Sequence, residues 1–414
     1  MLSLSVLPLW PSRPAAATWP PASTLYGAAF RNGVFNTICS VTITNWSDFD
    51  TVVTVTPNGY PGVAETVPAK QSRVWGATII PSGVETWVTA QSNNGASLTG
   101  TIRCRATDSS LDSLAVDEMI PSSGAATIPF IPSAGGGYFV GAPQNGTAYR
   151  ISDGATLGAV SGYSWTKPGA DEGYVRGNAA QVMRGNGITS GGGRASMTAL
   201  PDAYAGRTVV FPRVFKDSGA LPQGSLLNLV NVGTSSATIN LTAYEQGTGN
   251  TSTYGPLTLP ANRAVRIRIP EDWNPPFGPM SVVAEAQEAG AQLLGSVSVY
   301  RGSTNWLPAS ITFMDLSAAP SGQRAFATLT RATFRRNVPT GEGTGIVVMN
   351  TSRHNNVPIR VVLRNASGAV LLNNVYTLNA FRRQAILLTD DTTYPAGEYS
   401  VEAYPAVVHC LIKM

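Results

Sequence analysis

Charged side chains are scarce in this sequence: Asp, Glu, Lys and Arg make up 13% of its 414 residues, about half the share of an ordinary soluble protein. Ser, Thr, Asn, Gln and Gly must therefore cover its surface. Disorder is excluded, because it needs low hydrophobicity with high charge and here 43% of residues are hydrophobic. Lysine is almost missing. Lys70, Lys167, Lys216 and Lys413 stand against 24 arginines, so the net charge of +4 is an arginine charge. A nucleic-acid reader concentrates such charge with stacking aromatics between. The closest approach, "RATFRRN" from Arg331 to Asn337, falls by repeat spacing on an ordinary strand, and no nucleic-acid partner is expected. No apolar run approaches the roughly 18 residues that span a bilayer, so no transmembrane segment is expected.

The residue types that carry chemistry are equally thin. The only histidines are His354 and His409. His409 precedes Cys410, and neighbours on a strand point to opposite faces, so the two do not form a thiolate–imidazole couple. There is no "GxSxG" elbow, no "GxxxxGK[ST]" phosphate loop and no C-x-x-C zinc spacing. Two acidic groups remain, Asp108, Asp112, Asp117 and Glu118 in "TDSSLDSLAVDE" and Asp390 and Asp391 in "TDD". They read as a solvated inter-module linker and a polar turn. Neither has the spacing of a calcium loop, so either would at most hold extracellular calcium weakly. No catalytic, cofactor-binding or metal-binding residue is assigned, and an enzyme is not expected.

Turn formers are abundant, with 42 Gly and 29 Pro, and long helices would be interrupted. Between the turns the sequence repeats. An Asn closing an early apolar run, an Ala in an "L-P-A" or "L-N-A" turn and a Gly before a late run fall at Asn231, Ala261 and Gly278, and again at Asn350, Ala380 and Gly397. Both intervals are 30 and 17 residues. A shorter copy has Asn45, Ala69 and Gly83. Within copies, apolar and polar residues alternate with period two, as in Ile239, Leu241 and Ala243 against Thr238, Asn240 and Thr242. That is the pattern of a strand with one face in a core. Seven strands fit the central copy: 209–215, 226–231, 238–244, 254–259, 264–269, 281–286 and 293–300. The Asn residues would sit at hairpin turns, where the side chain bonds its own backbone and tolerates a left-handed conformation.

These features predict an all-β chain of tandem immunoglobulin-like β-sandwich domains with a Gly-rich inserted β segment. The expected division is 1–23, an N-terminal extension or signal remnant; 24–119, repeat 1; 120–205, a Gly-rich insert or degenerate β domain; 206–318, repeat 2; and 319–414, repeat 3. The order "FPRVFK … SLLNLVN … ATINLTAY … LPAN … PFGPMSVVA … GSVSVY" resembles tandem β-sandwich repeats of large bacterial cell-surface and secreted proteins. The resemblance implies an extracellular scaffold and carries no catalytic residue across.

Cys39 and Cys104 lie on an early and a late strand of repeat 1 that a sandwich would bring together across its core, and a disulfide between them competes with two buried thiols. Because "VVHC" aligns with "TIRC", Cys410 is expected at the repeat position of Cys104, with Thr344 where Cys39 would be. At the N-terminus Leu2 to Trp10 reads either as the apolar core of a secretory signal or as an assembly strand. In the second reading Leu2, Leu4, Val6, Leu7, Leu9 and Trp10 pair with a neighbouring subunit. Trp75, Trp87, Trp165, Trp273 and Trp306 with Tyr138, Tyr149 and Tyr163 could form a sugar-stacking platform, although Trp75 and Trp87 are expected in the first core. The function expected is that of a non-enzymatic extracellular structural protein, a homopolymeric subunit of a surface filament, sheath or adhesive layer that assembles through strand edges and the N-terminal extension. The alternatives are a bacteriophage virion component (tail or decoration) and a carbohydrate-binding adhesin that contacts surface glycans.

Overall fold

The computed structural model describes residues 22–301 and 331–412, apart from short stretches between strands of which 161–170 is the longest. The expected assembly strand, Leu2 to Trp10, lies outside the described residues. Among the described residues the only helical element is a 3-10 turn at Asp202–Tyr204, and every strand pairing is antiparallel.

One strand order recurs along the chain. The first module (24–121) contains, as strands A to H, β1 (Thr24–Ala29), β2 (Thr37–Asn45), β3 (Thr51–Pro57), β4 (Val63–Val67), β5 (Ser72–Trp75), β6 (Thr86–Ser92), β7 (Leu98–Ala106) and β8 (Leu114–Pro121). They pair in the order D-C-F-A-H-G-B-E. Strand H runs beside G and reaches A at its end, where Tyr26 pairs with Ile120. This bends one sheet into two layers around a core that includes Leu25, Val41, Ile43, Val55, Trp75, Val88 and Ile102.

The Gly-rich segment follows the same plan. It contains β9 (Ala126–Ile131), β10 (Tyr138–Gly141), β11 (Gly146–Arg150), β12 (Thr156–Val160), β13 (Gly173–Gly177), β14 (Arg184–Ile188), β15 (Arg194–Thr198) and β16 (Leu200–Pro201). The pairings β12-β11-β13-β9-β16 and β10-β14-β15 are D-C-F-A-H and B-G-H, with H divided between β15 and β16. Even the H-to-A contact is kept: Pro201 pairs with Ala126, as Pro121 pairs with Leu25. A counterpart of strand E is not among the described residues.

The third module holds β17 (Thr208–Val214), β18 (Gln223–Asn231), β19 (Ala237–Glu245), β20 (Thr251–Leu259), β21 (Arg263–Ile269), β22 (Met280–Ala286) and β23 (Leu293–Arg301). The fourth holds β24 (Arg331–Arg336), β25 (Thr344–Met349), β26 (Val357–Asn365), β27 (Val370–Leu378), β28 (Arg383–Leu388), β29 (Gly397–Tyr404) and β30 (Val407–Ile412). In both, sheet A-F-C-D faces sheet E-B-G, and the two sheets share one core. Each is a β-sandwich. An immunoglobulin constant domain groups A-B-E-D against C-F-G; here A pairs with F, D with C and G with B, so three strands lie in the other sheet.

The repeated Asn explains why the modules fold alike locally. Asn45, Asn231 and Asn350 are all fully buried. Each donates from Nδ2 to the carbonyl four residues on (Phe49, Ser235, His354) and to the last residue of strand D (Val67, Leu259, Leu378). Each Oδ1 accepts the backbone N–H two residues on, from Ser47, Gly233 or Ser352. One side chain thus ties the B–C turn to strand D, and a carbon in its place would strand buried backbone groups at about 1–3 kcal/mol each. None of the three adopts a left-handed conformation. That backbone is found at Lys70, Asn262 and Phe381, with φ of 58°, 57° and 57°, each directly after the landmark Ala in the turn before strand E.

Other expectations are corrected. Cys39 and Cys104 are not on opposite sides of the core; they are directly opposed on neighbouring strands of one sheet. Cys410 pairs with Ile346, whereas Thr344, the counterpart of Cys39, faces Ile412. Cys410 therefore occupies the position of Ile102, two residues from that of Cys104. Trp75 is in the first core, but Trp87 points to the other face of β6 and is half-buried. Asp117 and Glu118 lie in strand H rather than in a linker.

Candidate functional site: the seams between modules

In the first, third and fourth modules the outer face of sheet E-B-G meets another module. In B the residue before the buried Asn points away from its own core, and register places one E and one G residue beside it. The trio is Ser72, Thr44 and Thr99 in the first module, Ala264, Val230 and Leu294 in the third, and Arg383, Met349 and Val407 in the fourth.

The seam between the fourth and third modules is apolar. Met349 and Phe381 pack against Val210 of strand A and Val283 of strand F, with Tyr244 and Ala380 at the side. The rings of Phe381 and Tyr244 lie 5.3 Å apart. Polar groups surround this patch. Ser281 Oγ donates to the Phe381 carbonyl at 2.5 Å, Arg382 donates to the Glu245 carbonyl at 2.9 Å, and Arg353 pairs with Glu285. Arg383, 7% exposed, donates to Gln246 Oε1 at 3.0 Å and to the Pro212 carbonyl. Burial pulls its guanidinium down to about 10.

The seam between the first and fourth modules uses the same positions with other side chains. Thr333 and Ser400 are paired in register; Ser400 stands where the third module has Ser281, and the ion pair Arg331–Glu402 stands where it has Val210 and Val283. Thr44 Oγ1 is 2.6 Å from Thr333 Oγ1 and 2.8 Å from Ser72 Oγ, and Thr99 Oγ1 is 2.9 Å from Thr333 Oγ1. Trp46 Nε1 donates to Thr99 Oγ1 at 2.8 Å, and the Arg331 guanidinium lies 5.2 Å from the Trp46 ring centre. The Ser72 N–H donates to the Ala366 carbonyl at 3.0 Å. Ser400 Oγ is buried and has no hydrogen-bond partner. At the edge Lys70 pairs with Asp48 at 2.9 Å and donates to the Trp46 carbonyl. The lysine holds the Asp48 carboxyl below its ordinary 3.8, first by hydrogen bonding and then by its charge.

The third module meets the second through Val230, Val232, Ala264 and Leu294 against Tyr174, Leu200 and Ala205. Tyr149 and Tyr174 stack 5.2 Å apart there, and Tyr174 Oη donates to the Asn262 carbonyl at 2.6 Å. Burial raises the Tyr174 phenol to about 12. Arg266 pairs with Glu172 across the same seam, beside a cleft of about 540 Å³. In the second module, β15 lies against β8 of the first. The contacts run one to four, four to three, three to two and two to one, which closes a cycle. At three of them an E-B-G face meets a face built around strands A and F. In each of these three, the left-handed turn residue Lys70, Asn262 or Phe381 lies in or beside the seam.

Cys39 is disulfide-bonded, and the residue opposite it is Cys104. Asp108, Asp112, Asp390, Asp391, Tyr163, Trp165 and Trp306 lie outside the described residues. Tyr149 belongs to the seam just described, and Trp273 is buried in the third core, stacked 5.7 Å from Tyr254. Trp75 donates to the Val63 carbonyl within the first module. Among the described residues Trp75, Tyr149 and Trp273 form no shared platform. His354 lends its carbonyl to Asn350, and His409 pairs in register with Val347. Of "RATFRRN", Arg331 serves the seam, and Arg336, 1% exposed, donates to the Leu388 and Tyr394 carbonyls. Among the described residues no three His, Cys, Asp or Glu side chains gather as metal ligands, and no helix is long and apolar enough to cross a membrane.

No protein-family model and no curated protein sequence matches this chain. Sequence reasoning missed the seam residues altogether. One signal was present: the outward position before the landmark Asn carries Val230 and Met349 in two copies, where alternation leads one to expect a polar residue.

Proposed function

We propose that this chain is a non-enzymatic structural protein of the cell exterior. It would be four tandem copies of an immunoglobulin-like sandwich in which strands A, D and G have changed sheets, and a subunit of a filament, sheath or adhesive layer. Strand addition would join the subunits. The observation that carries this reading is β27. It is a nine-residue edge strand, "VLLNNVYTL", paired only with β26, and it has no charge and no proline. Val375 and Val370 on it are 61% and 49% exposed. Natural edges are usually short or blunted by charge and proline. Several other edges of this chain follow that rule: β4, β5 and β12 have four or five residues, β20 carries Pro256, and β21 and β28 carry arginines. Leu2 to Trp10 of a second copy, apolar and alternating, is the strand we assign to β27. The Cys39–Cys104 register fits a disulfide suited to an oxidising exterior.

Electron microscopy of the purified chain tests this. The full chain should form filaments, and removal of residues 1–20 or Val375→Lys should abolish them while leaving a folded monomer. A full chain that stays monomeric at every concentration would overturn the reading.

A further inference from the structure

We propose that the seam between the first and fourth modules is a clasp that opens, after which the first module of one chain docks on the fourth module of a second copy. Three observations converge on it. The seam is made of hydroxyls, Thr44, Ser72, Thr99 and Thr333, where the equivalent seam between the fourth and third modules is made of Met349, Val210, Val283 and Phe381. Hydroxyl pairs exchange partners with water at little net change, whereas apolar surface resists exposure in proportion to its area. Ser400 adds a buried hydroxyl with no partner in the closed state, and opening would hydrate it.

The second observation is connectivity. The modules follow one another as 24–121, 126–201, 208–301 and 331–412. Three of the four seams thus join sequence neighbours, which the chain holds together. The first and fourth modules are the ends of the row, so their seam parts without straining any connection.

The third is handedness of contact. The seam joins two different faces, E-B-G on one module and A-F on the other. An opened chain would present one of each. Such heterologous contacts close on themselves or propagate head to tail, and the second copy would use the contacts already made within one chain. This clasp is separate from strand addition at β27, because the two involve different strands and neither needs the other.

The test is exchange between full chains. Two preparations, one labelled with a donor and one with an acceptor fluorophore, are mixed and followed by energy transfer, with molar mass read by light scattering. Swapped oligomers should appear in proportion to concentration. The variant Thr44→Cys/Thr333→Cys, oxidised so that the two positions are bridged, should lose them; each single cysteine variant controls for stray thiol chemistry. A second variant, Thr44→Met/Arg331→Val/Glu402→Val, gives this seam the apolar residues found at the same register positions of its counterpart and should slow exchange roughly tenfold. Wild-type chains that never exchange, or a bridged chain that exchanges as fast as the wild type, would overturn the proposal. Filaments that persist in the bridged chain but vanish with Val375→Lys would overturn the clasp as the route to assembly and leave strand addition standing.

Discussion

The seam between modules three and four and the seam between modules one and four are the same contact with different side chains. Register makes the comparison exact in position. Met349 corresponds to Thr44, Val210 to Arg331 and Val283 to Glu402. The backbone frame that presents them is common to both, set by a buried Asn in the B–C turn and a left-handed residue before strand E. What differs is whether water can replace the contact. An apolar patch flanked by bonded arginines holds two modules as one body, whereas a row of hydroxyls holds two modules that can part. The difference teaches that geometry in this chain is set by the repeat, and permanence by a few outward-facing residues.

Substitutions that exchange the chemistry of the two seams sharpen this contrast. The largest effect should come from Met349→Thr with Phe381→Ala, which removes the apolar patch and should destabilise the chain by about 3–5 kcal/mol in denaturant unfolding. A loss equal to that of Thr44→Ala would break the comparison, since removing one hydroxyl should lower stability by about 1 kcal/mol. Asn350→Ala should fall between these, at about 2–3 kcal/mol, because the buried carbonyl of Leu378 and the partly buried carbonyls of His354 and Asn379 would lose their donor. It should act on its own module, and calorimetry should show one transition shifted.

Arg331→Ala should have a smaller effect, about 0.5–1 kcal/mol, because it removes a cation over the Trp46 ring at a partly exposed site. Acid should have the smallest. The Asp48 carboxyl is held below 3.8 by Lys70, so its contribution is present above the ordinary value and fades as pH falls through the lower, folded one. Both partners belong to the first module, so the unfolding transition of that module should shift slightly below about pH 4, and Asp48→Asn should remove that step.

Much of the fold was legible because period-two alternation is strong where one face is buried. All seven strands read for the third module coincide with β17 to β23 to within a few residues at each end. The Asn landmarks were legible too, although their service is to bridge the turn to strand D rather than to adopt a left-handed backbone. The Gly-rich segment was less legible. Its strands are two to six residues long, too short to show a period, and it has no landmark Asn, so its order emerges only from pairing. Strand H was hidden because "LAVDEMIP" carries two acids in mid-strand. The seams were hidden for a deeper reason. Alternation assigns Thr44, Thr99 and Thr333 to a wet face, and only the packing of one module on another reveals that the face is covered. The offset of Cys410 has a similar cause: four similar letters aligned, while the ladder to β25 sets the register two residues away.

The central claim is that the modules close into a cycle through this seam, and small-angle X-ray scattering of the dilute monomer tests it most directly. A closed arrangement predicts a radius of gyration close to the compact expectation for a chain of this length, about 22 Å, raised measurably by Thr44→Asp. An elongated profile for the wild type, unchanged by that substitution, would contradict it.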